Sequence, residues 1–361
     1  PFETPIKKIV STFHPTEWWN VHLVKALAEF CAVESLPMGL GGIQGHAVDA
    51  RVDQLLAGLD SNSSFYLGSN LHLFPGLLGV STATASWIDF IPEMREALPS
   101  IRLFDIIFAS DYASVEFLHN SGIEQAHWLT YAFDTSLANR PDMPKCFDVA
   151  FVGRLDLPGT KDERLQMLAL LEKRYRMNDV RTPAFGDRLM ATYNQAKIVV
   201  NIPVNGIFTN MRLFEAMGSG ALVLTKDWGK GRFEPFTKGM HFDTYRDTNE
   251  LLTKIDHYLK HDDERKNIAT AGMREVMEKH TYMHRAKEVL SIMTDNRHKR
   301  RRCLNPRIAA RAYANFYRPH LRTDLLLRLL IRPKIGMRER LHTFICLLAA
   351  GRHLMRRPTL T

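Results

Sequence analysis

The groups best placed to hold an anion lie in a polar loop between two apolar runs. The segment Lys197 to Thr225, KIVVNIPVNGIFTNMRLFEAMGSGALVLT, reads as a buried strand, a loop, a short helix over Met211 to Met217 and a second strand from Ala221. A helix that starts near Thr209, Asn210 and Met211 presents free backbone N–H groups and the positive end of its dipole, and Arg212 adds a full charge there. A phosphate suits such a turn. One turn on, Glu215 stands where a carboxylate can accept hydrogen bonds from the two vicinal hydroxyls of a ribose. Gly218 and Gly220 let the helix end tightly against the next strand. Spacing alone equally allows an ordinary strand-loop-helix-strand element with Arg212 and Glu215 as an i,i+3 surface pair.

The elements that must position these residues alternate between strand and helix. Lys8 to Phe13 reads as a strand and is followed by a helix from about Thr16, as N-cap, to about Ala32. Ser64 to Leu67 is strand-like, Phe104 to Ala109 is a buried apolar run, and Tyr112 to Asn120 is a helix closed by Ser121 and Gly122. Residues 134 to 146, DTSLANRPDMPKC, break the pattern with two prolines and no periodicity, as an interdomain linker does. A second series then opens with the strand Phe147 to Val152 and the helix Asp162 to Lys173. It continues with the helix Arg188 to Gln195, the strand Lys197 to Ile202, and further helices at Thr248 to Leu259, Asp263 to Lys279 and Met283 to Met293. Such alternation predicts an α/β protein with parallel, doubly wound sheets.

Charge divides the chain. Residues 297 to 361 hold seventeen Lys and Arg against only Asp324 and Glu339, a net of +15, so the overall +9 leaves positions 1 to 296 at −6. An anionic partner therefore meets the tail first, and nucleic acid is disfavoured for the acidic remainder, which lacks interleaved aromatic and basic residues. Within the tail Met337, Leu341, Phe344, Ile345, Leu348 and Met355 fall on one helical stripe with Arg338, Arg340, Arg356 and Arg357 mostly outside it. Such a helix either lies on an anionic membrane or packs back on the N-terminal domain. Cys31, Cys146, Cys303 and Cys346 are scattered without metal-ligand spacing, which points to a reducing, cytoplasmic setting and no metal. No apolar run is long enough to span a bilayer, which leaves peripheral association with the inner face of a membrane as the alternative.

The run NMRLFEAMGSGALVLT resembles the donor-site signature of GT-B glycosyltransferases related to glycosyltransferase family 4, particularly the CgeB-like branch. The resemblance extends through His241 to Ala286, HFDTYRDTNELLTKIDHYLKHDDERKNIATAGMREVMEKHTYMHRA, and back through Asn201 and Tyr193 to FDVAFVGRLDLPGTKDERLQML. It covers about residues 104 to 290. It implies a GT-B architecture, with two Rossmann-like domains facing a cleft: an acceptor domain at 1 to 140, a donor domain at 141 to 296, and a basic helical extension at 297 to 361.

By the same resemblance Arg154 and Lys161 are the basic pair on the donor diphosphate, where fixed cations stabilise charge growing on the leaving group. Glu215 is the ribose ligand, and Thr209, Asn210 and Met211 are backbone donors to phosphate. Where related members often carry a further glutamate this chain has Ile207, and Asn205 is the nearest polar group. The implied reaction moves a sugar from a nucleotide diphosphate donor to a saccharide, lipid-linked or protein acceptor, with retention and without a cofactor. No two aspartates stand two apart, which favours metal-independent transfer. On the acceptor side, His14 follows the first strand with Trp18 and Trp19 close behind, and Asp89 lies in SWIDF; a structural histidine, core tryptophans and a helix N-terminal acid are the plainer readings. Gly41, Gly42 and Gly45 form a turn of low specificity.

Overall fold

The computed structural model describes residues 2–13, 18–35, 64–69, 84–88, 94–138, 143–155, 161–203, 210–227, 229, 233–296, 306–318, 323–332 and 335–355. Two compact units result: unit 1 is Pro1–Leu129 with Ala286–Thr361, and unit 2 is Thr130–Arg285.

Unit 1 opens with β1 (Lys8–Ser11), α1 (Trp18–Ala28), β2 (Ala32–Ser35), β3 (Ser64–Ser69), β4 (Thr84–Ile88), α2 (Met94–Ile101), β5 (Ile106–Ala109), α3 (Tyr112–Asn120) and β6 (Ala126–Trp128). Its described strands form one parallel sheet in the order β2-β1-β3-β4-β5-β6. In β5 every residue of IIFA is buried, so the strand reads as an unbroken apolar run rather than an alternation, as a strand covered on both faces must. The expected helix to Ala32 is corrected here: it stops at Ala28, and Ala32 opens β2 beside β1. Nothing at 29 to 35 supplies helical amphipathicity, whereas the parallel ladder to Lys8–Ser11 satisfies the backbone of this segment.

Unit 2 begins where residues 130–133 run beside 280–282. Phe133 N donates to His280 O (2.9 Å), Tyr282 N donates to Phe133 O (3.0 Å), and the buried Arg285 donates from Nε to Thr130 O (3.0 Å). Between these ends lie β7 (Phe147–Ala150), α4 (Lys161–Arg174), α5 (Gly186–Asn194), β8 (Ala196–Asn201), α6 (Met211–Gly218), β9 (Leu222–Lys226), β10 (Asp243–Tyr245), α7 (Thr248–Lys260), α8 (Asp262–Lys279) and α9 (Tyr282–Asn296), the last continuing into unit 1. The described strands are parallel in the order β10-β9-β8-β7. The strands and helices of the two series therefore match the alternation read from the sequence, with β2, β4, β6, β10 and α2 added.

The chain then returns to unit 1 through α10 (Pro306–Tyr317), α11 (Thr323–Leu330) and α12 (Met337–Met355). Pro306 occupies the first helical position, where its fixed φ is favourable and its missing N–H costs nothing. Ala309, Ala310, Tyr313, Ala314 and Tyr317 fall at helical spacing and join Leu325, Leu326, Leu329, Cys346 and Ala350 in one core with Tyr66, Ile88, Ile107 and Leu118. The segment read as an extension thus supplies core to the N-terminal unit.

Two features of unit 2 have measurable consequences. At the end of α6, Ala221 N donates to Ala216 O (3.3 Å) and Gly220 N to Met217 O (2.9 Å), with Gly220 at φ 73°. This is a Schellman cap, which needs glycine because a Cβ is strained in that left-handed region. Two residues earlier a Cβ on Gly218 would lie 2.7 Å from the Phe133 ring, which is itself fully buried. Gly218→Ala is expected to destabilise the protein by about 1 to 3 kcal/mol through overpacking, read as a lower denaturation midpoint in urea.

His280 accepts from Arg285 Nη2 at Nδ1 (2.8 Å) and lies against the rings of Phe214 and Phe236. Burial first, and then the Arg285 charge, lower its pKa from the usual 6.5 to about 4. Between those values the unfolded chain binds a proton that the folded one refuses, so stability falls as pH drops through the window and levels off below it. His280→Asn keeps an acceptor for Arg285 without the titration. Its loss of unfolding free energy between about pH 7 and about pH 5 should be smaller than that of the parent chain.

Candidate functional site

The carboxyl ends of β7, β8 and β9 bring together the polar residues of unit 2, which is where open parallel sheets bind ligands. After β7 the chain turns through Phe151, Val152, Gly153 and Arg154. Asn178 holds the turn by accepting from Phe151 N and donating back to Phe151 O, both at 2.9 Å. Arg154 itself is exposed, as a residue that meets a ligand should be.

Two further arginines lie beneath this turn. Arg164 in α4 is 1% exposed, with Nη1 donating to Arg154 O (2.5 Å) and Nη2 to Ile202 O (3.1 Å), so one side chain ties the loop after β7 to the loop after β8. Its Nε is buried without a hydrogen-bond partner among the described residues. Arg212 in α6 reaches the same turn, donating from Nε to Val152 O (2.6 Å) and from Nη1 to Asn201 Oδ1 (2.8 Å). The two guanidinium carbons stand 5.8 Å and 5.0 Å from the centre of the Phe151 ring, at cation–π distance. Burial and then the Arg212 charge lower the pKa of Arg164. Among the described residues no carboxylate forms an ion pair with either arginine, so positive potential is left where the strands end.

Asn201, fully buried at the end of β8, organises the other side. Its Nδ2 donates to Thr225 Oγ1 (3.0 Å), its Oδ1 accepts from Arg212 and from Asn210 Nδ2 (3.1 Å), and its carbonyl accepts from Tyr245 OH (3.1 Å). Asn210 is the N-cap of α6, its Oδ1 accepting from Leu213 N at 3.2 Å. One network therefore fixes the start of α6 and aims its dipole. Met211 is the first helical residue, and Glu215 follows one turn on at 7% exposure, buried rather than on the surface. Glu215 lies close enough to the buried Tyr193 and Tyr282 for its charge to help raise both phenols, after burial as the main cause.

The structure thus brings Arg154, Asn210 and Arg212 together at the ends of β7 and β8, with Met211 the first residue of α6 and Glu215 one turn on beside Tyr193 and Tyr282. Lys161 is the first residue of α4. Asn205, Ile207 and Thr209, the acceptor-side candidates His14 and Asp89, and Gly41, Gly42 and Gly45 lie outside the described residues, and Trp18 and Trp19 are placed only as the start of α1. Arg164, Phe151 and Thr225 were missed by sequence reasoning as site residues. A buried arginine in KDERLQML carries no signal that separates it from its exposed neighbours. Among the described residues no three His, Cys, Asp or Glu side chains meet as a metal site.

Residues 144–291 match the family model described as Glycosyl transferase-like. No curated protein matches the sequence. Among solved structures, Anabaena HepE in complex with UDP and glucose superposes with a TM-score of 0.58 at 12% identity, over 80% of this chain and 100% of that one. A glycosyltransferase from Rickettsia africae ESF-5 gives 0.56 at 10% identity, over 80% and 98%. A putative UDP-N-acetylglucosamine 2-epimerase from Listeria monocytogenes gives 0.55 at 13%, over 81% and 97%. The chain spans 54% of the length of TarM, at a TM-score of 0.49. The matches with TM-scores of 0.55 and above show a GT-B-like fold, and residues 144–291, from before β7 into α9, are similar to the glycosyl transferase-like family.

Proposed function

We propose that unit 2 binds a nucleotide diphosphate sugar and that the protein transfers its sugar to a saccharide, lipid-linked or protein acceptor. The observation that carries this is the pair Arg164 and Arg212, unpaired with any carboxylate among the described residues, beside the N-terminus of α6. A diphosphate supplies the missing negative charge, and it gains more as the glycosidic bond breaks, so the same cations favour the transition state. In this reading Arg154 and Lys161 contact the diphosphate, and Asn205, Thr209, Asn210 and Met211 line its approach. Glu215 takes the ribose hydroxyls.

Transfer proceeds with retention and without a metal ion, the cations and the helix dipole taking the metal's place. HepE is described with UDP and with UDP-glucose, which supports a uridine nucleotide as the first probe. On the acceptor side His14 and Asp89 follow β1 and β4 in sequence, and the order of the sheet reverses between β1 and β3, one strand from β4. The fold shared with a putative epimerase leaves the nucleotide sugar as common ground, and the family match favours transfer.

Calorimetric titration with UDP, with ADP and GDP as alternatives, tests the donor reading. Glu215→Gln should weaken binding of the preferred nucleotide at least about tenfold, since the lost charge-assisted bonds contribute roughly 1.5 to 3 kcal/mol. An unchanged Kd removes the ribose assignment. The same titration in excess EDTA should give the same Kd, and a loss restored by magnesium would reveal a metal site. Absence of binding by all three nucleotides would end the donor reading itself.

A second test concerns Arg164, a positioning residue. Arg164→Met removes both carbonyl bonds and the charge, and should lower turnover more than it raises KM. Arg164→Lys keeps the charge and one bond, and should recover part of the turnover. Equal loss in both variants, with melting temperatures as low as each other, would reduce Arg164 to a purely structural role.

A further inference from the structure

Helix α12 is built with its faces reversed from those of an ordinary surface helix. The side turned into unit 1 carries small or polar residues: Glu339, Thr343, Cys346 and Ala350, at 7%, 0%, 1% and 0% exposure. The outward side carries the large apolar ones, Met337 at 81%, Leu341 at 60%, Phe344 at 46%, Ile345 at 55% and Leu348 at 51%. At 3.6 residues per turn these five fall within an arc of roughly 100°, opposite the buried four. Leu327 and Ile331, four residues apart at α11, add two more exposed aliphatic side chains at 54% and 78%. Packing against the protein already occupies the other face, so core formation does not explain the stripe. An apolar surface of this size marks a binding face.

Charge identifies what covers it. Arg338 is exposed at one margin of the stripe, and α10 runs along that flank of α12: Arg311 Nε lies 3.9 Å from Glu339, and Asn315 Oδ1 lies 2.9 Å from His342 Nε2. Arg318, one turn beyond Asn315, is exposed as well. The only acids after residue 296 are Asp324 and the buried Glu339, against seventeen basic residues. A second copy on this face would set arginine against arginine, and an acidic protein groove would not need five aliphatic and aromatic groups in one band. No described helix is long and apolar enough to cross a membrane, so α12 can lie on a bilayer but not span it. We propose that this face of unit 1 docks on an anionic lipid surface, the stripe entering the headgroup boundary and the flanking arginines meeting lipid phosphates.

Each basic residue near such a surface strengthens binding by roughly fivefold, and the effect is screened by salt. Sedimentation of the full chain with vesicles tests the proposal, using phosphatidylcholine alone and phosphatidylcholine with phosphatidylglycerol in equal parts. The chain should pellet with the anionic vesicles at low salt and be released by high salt. Leu341→Gln with Ile345→Gln should weaken this about tenfold or more while melting like the parent chain. Phe344→Gln serves as a second variant should the pair lower the melting temperature. The proposal fails if the chain stays in the supernatant with every vesicle, or if neutral vesicles serve as well as anionic ones. It also fails if folded variants pellet like the parent. Light scattering that shows a dimer in the parent and a monomer in the double variant would assign the face to a second copy and overturn it.

Discussion

A buried guanidinium that has only carbonyl oxygens to bond gains some of its hydrogen bonds and no countercharge from them. Arg164 is in that state, and Arg212 shares the Phe151 ring with it. Removing an ion from water costs several kcal/mol even after relaxation, and neutral acceptors offset only part of that. The network of Asn201, Asn210, Thr225 and Tyr245 keeps the arrangement rigid, so the cost is not relieved by the arginines swinging into water. The turn after β7, the loop after β8 and the first turn of α6 are all pinned to this pair. An anion arriving at the strand ends finds its countercharge already in place and already dehydrated, the condition under which fixed charges act most strongly.

Much of this was legible in the sequence. The apolar runs Phe147 to Val152 and Lys197 to Ile202, the helix over Met211 to Met217, and the glycines that follow all fell where the structure has them. They were readable because strand and helix periods are local. Arg154, Asn210 and Arg212 come together because they follow neighbouring strands of one parallel sheet, which motif spacing also conveys. Arg164 was not legible, since its role depends on two carbonyls ten and thirty-eight residues away. The burial of Glu215 was not legible either, because it is set by packing around Tyr193 and Tyr282.

The tail illustrates a different limit. The stripe of Met337, Leu341, Phe344, Ile345 and Leu348 is plain in the sequence, yet periodicity locates a face without saying which side the protein takes. The face that packs is the one with little hydrophobicity. Alanine in α10 and alanine, threonine and cysteine in α12 let the backbones approach closely, and that closeness substitutes for bulk. Arg340 closes the junction by donating to the carbonyls of Leu330 and Arg332 at the end of α11.

The division of the chain into a continuous unit 2 and a discontinuous unit 1 has a consequence for synthesis. A nascent chain leaving the ribosome delivers every residue of unit 2 by Arg285, so that unit is free to close early. Unit 1 is made in two parts, one before unit 2 and one after it. Its sheet waits for Ala309 through Ala350, and until they arrive Ile107, Leu118 and their neighbours lack part of their cover. Residues 309 to 350 thus complete a core that residues 66 to 126 begin, and the sheet of unit 1 stays partly uncovered for as long as unit 2 and those helices take to be made.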